Sequence, residues 1–253
     1  MRLGLAGDSN AQLPALHAHR GASHLAPENT MRAFELAVSE GADALELDVR
    51  ITSDDVPVIF HDDDLARMTT TAGRTASTSW SAFGDLRAGG EPIPGLADLV
   101  AFGRQHRLPL NIELKPTARP LALVAACEPI LRELLTLVPT MVSSFDPRVL
   151  AMLHQRLPTL PLALILEDVR ALAALALLPP VDLHVRHDLI DDASLSTFLA
   201  TPRALRAWTV DDPAVARRLI ALDAGRAVSA LITNRPGPLR AELLAAQPQD
   251  AAP

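Results

Sequence analysis

The stretch Ala44-Leu45-Glu46-Leu47-Asp48-Val49 decides how the chain is read. Its strict alternation has the period of a β-strand, in which successive side chains face opposite sides. Leu45, Leu47 and Val49 then share one face, and Glu46 and Asp48 share the other. Two carboxylates on a face turned into the protein repel one another and lose solvation, unless a cation lies between them. A hard divalent ion bound through oxygen resolves the conflict. The competing reading is an exposed strand with both acids in water.

Working outward, Asn29–Glu40 reads as a helix with Met31, Phe34, Ala37 and Val38 on one face and Gly41 as its stop. Beyond Ile51, the run Pro57–His61 reads as a second strand. The link between them is too short for a helical crossover and predicts a hairpin-like departure. Further strands are predicted at Leu16–Arg20, Leu108–Leu114, Thr140–Ser144, Leu162–Leu166, Val181–Arg186, Leu205–Val210 and Ala230–Thr233. Helical runs lie between most of them: Leu96–Gln105, Pro120–Leu137, Pro147–Gln155 and Pro213–Leu222, the last three opening at a proline. The apolar run Ala171–Leu178, followed by Pro179 and Pro180, reads as a short core helix. This alternation predicts an α/β protein with a parallel barrel or a doubly wound sheet. Polar residues recur at strand C-terminal ends and no Gly-rich phosphate loop is present, so a TIM (β/α)8 barrel is favoured. Nine candidate strands for eight places leave one non-standard. Residues 62–93, rich in Thr, Ser, Gly and Asp, read as an insertion over the barrel mouth, within one domain spanning 1–253.

The totals narrow the function. A formal charge of -7 argues against nucleic-acid binding, which calls for a basic face. It leaves room for a small anionic substrate held by a few local cations. The single cysteine, Cys127, excludes an internal disulfide and a cysteine-based zinc site. No apolar h-region opens the chain and no window approaches membrane-spanning length, so a cytoplasmic protein without integral membrane contact is expected. Oligomeric state is left open. Of 23 basic residues, Lys115 is the sole lysine, which suggests a place needing a compact point charge.

Asn111-Ile112-Glu113-Leu114-Lys115 repeats the alternating logic. It offers Glu113 as a third oxygen ligand and Lys115 as a phosphate contact near the mouth; the plainer alternative is a structural Glu–Lys pair. His19-Arg20-Gly21 follows the first strand, with an imidazole for proton transfer, a guanidinium fork for phosphate and a glycine for a tight exit. His61 closes another strand beside Asp62, which could orient it. In Asp182-Leu183-His184-Val185-Arg186, His184 faces inward as a candidate substrate contact. Trp208 is either core or an apolar wall for the substrate, and Trp80 has no assigned role.

Together with Ala26-Pro27-Glu28-Asn29-Thr30, Phe60-His61-Asp62, Ser143-Ser144-Phe145, Trp208-Thr209-Val210 and Ile232-Thr233-Asn234-Arg235-Pro236, these segments stand in an order that resembles the glycerophosphodiester phosphodiesterase family, in its short cytosolic bacterial form. The resemblance covers nearly the whole chain. It implies a modified TIM barrel with a small insertion after the strand ending at His61. It implies that Glu46, Asp48 and Glu113 bind one divalent cation, Mg²⁺ or Ca²⁺, and that His19 and His61 are general acid and base. Arg20 and Lys115 would hold the phosphate, Glu28 would support the site, and Trp208 would line the glycerol side. The implied reaction releases glycerol 3-phosphate and an alcohol from a glycerophosphodiester, through attack by the substrate's own 2-hydroxyl and hydrolysis of a cyclic phosphate. Two departures stand out: Asn234 where the family usually has an acid, and a short segment around Arg87–Pro94. Rival readings are a lysophospholipase D or other phosphodiesterase on the same barrel, and a catalytically silent binding barrel.

Overall fold

The computed structural model describes residues 13–198, 203–222 and 228–245. Residues 1–12, 199–202, 223–227 and 246–253 lie outside them, and so does all but the first residue of the stretch Ala245–Pro253, which reads as a frayed tail. In chain order the strands are β1 (Ala15–His19), β2 (Ala44–Ile51), β3 (Pro57–Ile59), β4 (Arg87–Ala88), β5 (Glu91–Pro92), β6 (Leu110–Leu114), β7 (Thr140–Ser144), β8 (Leu162–Leu166), β9 (Asp182–Arg186), β10 (Leu205–Trp208) and β11 (Ala230–Thr233). The helices are α1 (Met31–Ser39), α2 (Trp80–Phe83), α3 (Asp98–His106), α4 (Pro120–Leu137), α5 (Pro147–Arg156), α6 (Asp192–Phe198), α7 (Pro213–Ala221) and α8 (Pro236–Ala245).

Eight strands run parallel and close on themselves. β1 pairs with β2 on one side and with β11 on the other, and the circuit continues through β10, β9, β8, β7 and β6 back to β2. This is a TIM barrel. β3 stands outside the circuit, antiparallel to β2 with Val49 opposite Ile59, so the second crossover is a hairpin, as the short link predicted. The strand stops at Ile59, two residues before His61. Its pairing still persists in the main chain, where Phe60 N–H donates to Asp48 O at 3.0 Å.

Alternation along each strand sorts the side chains. Leu45, Leu47 and Val49 on β2, Leu110, Ile112 and Leu114 on β6, and Leu162, Leu164 and Leu166 on β8 all join the main core between barrel and helices. Fully burying such a side chain stabilises the fold by about 1.5–3 kcal/mol. The residues between them point inward. The barrel interior is consequently polar over much of its length, with His17, Asn111, His184 and Arg206 all buried.

Helix starts follow local chemistry. Thr30 caps α1 by accepting from Ala33 N–H at 3.2 Å. Asp146 and Asp212 cap α5 and α7, each followed by a proline in the first turn. Asn29, predicted as the first residue of α1, lies outside it with a positive φ of 59°; its side chain is engaged elsewhere. The reading of Ala171–Leu178 as a core helix is corrected. Val169–Leu177 is a 3₁₀ segment with no buried residue, and Leu177 is 82% exposed. The run is apolar all round, so it has no polar face to set against an apolar one, and Pro179-Pro180 ends it. α6 and α8 were not predicted.

Between β3 and α3 the chain forms α2, the two-residue strands β4 and β5, and a short 3₁₀ turn at Thr75–Ser77. Val58, Phe60, Leu65, Phe83, Ala88 and Ile93 make a small apolar cluster of their own there. Trp80 packs against that cluster. No helix among the described residues is long and apolar enough to cross a membrane.

Candidate active site

Everything singled out in the sequence converges at the C-terminal end of the barrel. β2 and β6 are aligned so that Asp48 stands beside Glu113 and Glu46 beside Asn111. Glu46, Asp48 and Glu113 are all buried, and their carboxylate oxygens lie within 4.8 Å of one another. Two neighbouring cations offset part of this charge. Lys115 Nζ is 2.6 Å from Glu113 Oε1 and 3.3 Å from Asp48 Oδ1. Arg20 Nε is 3.1 Å from Asp48 Oδ2.

The balance differs among the three acids. Burial alone would raise Asp48, but Lys115 and Arg20 outweigh it and hold the carboxyl below its ordinary range. Glu46 is pushed well up by burial and by the charges of Asp48 and Glu113. Glu113 rises to about 7, through burial and Asp48 against the opposing pull of Lys115. Fully ionised, three acids facing two cations would leave one surplus negative charge in a desolvated site, and all the donors are hard oxygens. That set fits a divalent ion of the hard class.

A pH-dependent response follows. Without an ion, folded Glu113 keeps its proton up to about pH 7, whereas the unfolded chain loses it near the ordinary value of 4.5. Between these limits the folded state binds more protons, so this group's stabilisation is present at low pH and is lost as pH rises. Ion binding needs the ionised carboxylate and removes that loss. Mg²⁺ or Ca²⁺ is therefore expected to raise Tm more at pH 8 than at pH 5, measured by thermal unfolding with and without the ion. An equal shift at both pH values, or a larger one at pH 5, would contradict this assignment of the acids.

The loop after β1 supplies the next groups. Arg20 has a φ of 57°, and its N–H donates to Glu46 Oε2 at 3.0 Å. Gly21, at φ 84°, lies against the α1 backbone, where an added Cβ would meet Ala33 at 2.7 Å; only glycine fits this exit. Asn29 sits within reach of β2, donating through Nδ2 to Asp48 Oδ2 at 2.8 Å and accepting Asp48 N–H at 3.2 Å. Glu28 Oε1 accepts from Arg20 Nη1 at 2.8 Å.

The two histidines have unlike partners. His19 Nδ1 lies 2.7 Å from Asn234 Oδ1, and His19 Nε2 is 4.0 Å from Glu46 Oε2. Asn234 cannot turn its amide round, because its Nδ2 donates to the Asp211 carboxylate at 2.5 Å and a carboxylate only accepts. Ser23 Oγ also donates to Asn234 Oδ1, at 2.9 Å. Burial, and then Arg20, lowers His19 to about 4. His61 Nδ1 faces Asp62 Oδ1 at 2.6 Å, and Arg50 Nε holds the His61 carbonyl at 2.6 Å. Burial lowers His61, against the opposing charge of Asp48.

A cavity of about 270 Å³ lies over these groups. Phe145 and Trp208 form one wall, edge to face at 5.8 Å, and Trp208 Nε1 donates to the His184 carbonyl at 3.1 Å. Lys115 Nζ stands 5.7 Å from the Phe145 ring centre. His184 lines the cavity, held neutral by burial and by Arg206 and His17. All nine residues proposed from the sequence thus lie in or against one site. Asn29, Asp211 and Arg67 were not singled out, and neither was the contact of Asn234 with His19; apart from Asp62, which lies near Arg67 in sequence, their partners are remote and leave no local pattern.

Comparison with known proteins gives a consistent result. Residues 19–238 match the Glycerophosphoryl diester phosphodiesterase family. The chain is 29% identical over 237 residues to YhdW of Bacillus subtilis, which carries a provisional glycerophosphodiester phosphodiesterase name; the match covers 87% of this chain and 93% of that protein. Among solved structures, an Oleispira antarctica phosphodiesterase in complex with the product sn-glycerol-3-phosphate superposes with a TM-score of 0.82 and 27% identity, covering 91% of this chain and 97% of that one. A glycerophosphodiester phosphodiesterase from Agrobacterium tumefaciens superposes with a TM-score of 0.73 and 25% identity, covering 90% of this chain and all of that one.

Proposed function

Starting from the fact that the chain belongs to the glycerophosphoryl diester phosphodiesterase family, and so hydrolyses glycerophosphodiesters, we propose how its own residues divide the reaction. The observation that carries the reading is the convergence of Glu46, Asp48 and Glu113 within 4.8 Å, with Arg20 and Lys115 beside them. The product is glycerol 3-phosphate, as held by the Oleispira enzyme. Glu46, Asp48 and Glu113 hold one Mg²⁺ or Ca²⁺, which when bound supplies charge stabilisation at the phosphate oxygens. Arg20 and Lys115 bind the same anionic group in a partly desolvated cleft. With the ion present, the five charges and a diester monoanion sum to zero.

His19 is the base of the first step. Its Nδ1–H donates to a fixed amide carbonyl, which leaves Nε2 bare, while burial and the Arg20 charge keep the ring neutral. His61 is the acid, since its Nδ1 faces a carboxylate that favours the imidazolium against the lowering effect of burial. His19 Nε2 takes the proton of the substrate's 2-hydroxyl as that oxygen bonds to phosphorus. The bond from phosphorus to the alcohol breaks, and His61 Nε2 gives its proton to the departing oxygen. Water then attacks the cyclic phosphate with the roles exchanged: His61 takes a proton from water, and His19 returns one to the 2-oxygen as the ring opens. Phe145 and Trp208 shield the reacting groups on one side. The acidic charge of the chain and its polar insertion favour a small polar diester over a lysophospholipid.

The test is release of glycerol 3-phosphate from a panel of glycerophosphodiesters, with a lysophospholipid as comparison and with Mg²⁺ or Ca²⁺ present. Release from at least one glycerophosphodiester is expected, and none from the lysophospholipid. Failure with every glycerophosphodiester would defeat the reading.

A further inference from the structure

Building on the proposed roles of Arg20 and His61, we propose that Arg67 is a positioning residue that sets both sides of the cleft at once. Arg67 lies in the segment after β3. Its Nη1 and Nη2 donate to Glu28 Oε2 and Oε1 at 3.1 and 2.6 Å, a two-pronged contact, and its Nε donates to Asp62 Oδ2. Glu28 Oε1 also accepts from Arg20 Nη1 at 2.8 Å, and Asp62 Oδ1 faces His61 Nδ1 at 2.6 Å. An arc of alternating charge, Arg20–Glu28–Arg67–Asp62–His61, therefore runs round the mouth from the loop after β1 to the loop after β3. Both carboxylates are held ionised: burial opposes this at each, and the arginine, joined at Glu28 by Arg20 and at Asp62 by His61, outweighs it.

The division of labour at His61 is visible in its contacts. Arg50 fixes the His61 backbone through the carbonyl, while Asp62 fixes the ring. Arg67 in turn fixes Asp62, and the same guanidinium fixes Glu28, the partner of Arg20. Arg67 is 48% exposed, and exposed ion pairs contribute little to stability. Its value lies in orientation, which a planar fork imposes and an ammonium does not. Without it, Glu28 would keep only Arg20 and Asp62 only His61 as partners at the entrance used by an anionic substrate.

The experiment is steady-state kinetics on glycerophosphocholine for Arg67→Ala, Arg67→Lys, Asp62→Asn and the double variant Arg67→Ala/Asp62→Asn, with His61→Ala as the control and Tm measured for each. Arg67→Ala is expected to lower kcat/KM by about 10–100-fold, the scale seen when outer hydrogen-bond partners of a site are removed. The fall is expected mainly in kcat, with Tm little changed. Arg67→Lys should regain only part of the loss. The double variant should fall well short of the product of the two single losses, because both act on one ring. Wild-type turnover in Arg67→Ala while His61→Ala is inactive would overturn the inference alone. So would full recovery by lysine, or a double variant equal to that product. Wild-type turnover in His61→Ala would instead remove the reading of the site on which the inference rests.

Discussion

His19→Ala and His61→Ala are each expected to lower kcat by about 10²–10⁴-fold, the usual cost of removing a group that transfers a proton in the transition state. On the scale of about 1.36 kcal/mol per tenfold this is roughly 3–5 kcal/mol of barrier. The fold should survive both changes. His19 ends β1 and His61 follows β3, both at the mouth, and neither belongs to the main apolar core or to the small cluster beside it. The losses should also be distinguishable. A diester with a 4-nitrophenolate leaving group needs little protonation as it departs, so it should spare His61→Ala in the first step but not His19→Ala. Near-wild-type kcat on glycerophosphocholine in either purified, folded variant would refute that histidine's role. Equal sensitivity of both to the nitrophenyl substrate would reverse or erase the assignment of acid and base.

The second large effect concerns the ion. Exhaustive chelation should take activity to background, and Mg²⁺ or Ca²⁺ should restore it. Glu46→Gln should reproduce much of that loss at limiting ion, on the order of 10³-fold, if the ion supplies several kcal/mol of charge stabilisation. Glutamine is the informative replacement because Glu46 accepts the Arg20 backbone N–H. An amide carbonyl can still accept that bond, so the loop after β1 stays in place while one ligand charge disappears. Calorimetry should show weaker ion binding by the variant. Full activity in protein shown metal-free by elemental analysis would end the proposal of a metal-dependent reaction.

The parts of the architecture that were legible in the sequence are those written in local periodicity. Thr140–Ser144, Leu162–Leu166 and Ala230–Thr233 match the sequence reading to the residue; they are short apolar-rich runs, the first two bounded directly by Pro139 and Pro161. The hairpin of β2 and β3 followed from a link too short for anything else. The apolar run before Pro179-Pro180 misled, since hydrophobic content without a 3.6-residue period fixes neither a helix nor a buried face. In the site, the carboxylates were legible because Glu46 and Asp48, like Glu113 and Lys115, are two residues apart on a strand. Their supports were not. Asn234 meets His19 across 215 positions, and Arg67 meets Glu28 across 39. The first exists only once the barrel has closed through β1 and β11, and the second only once β1, β2 and β3 lie side by side. Asn234 in place of the usual acid removes a charge from that corner. In the folded protein it grips an imidazole, with Asp211 supplying the negative charge one step further back.

The small apolar cluster under α2, β4 and β5 is separate from the barrel's own core. Such an arrangement makes this region an interchangeable cap, able to diverge or be transplanted without renegotiating the packing of the scaffold beneath. Several ties limit that freedom, among them Trp80, whose N–H donates to Asp54, and Arg67, which belongs to the cap yet grips Glu28 on the scaffold. Remodelled caps that keep an arginine at that place should acquire new tastes in departing alcohols, while caps that lose it should sit over a slack and sluggish centre.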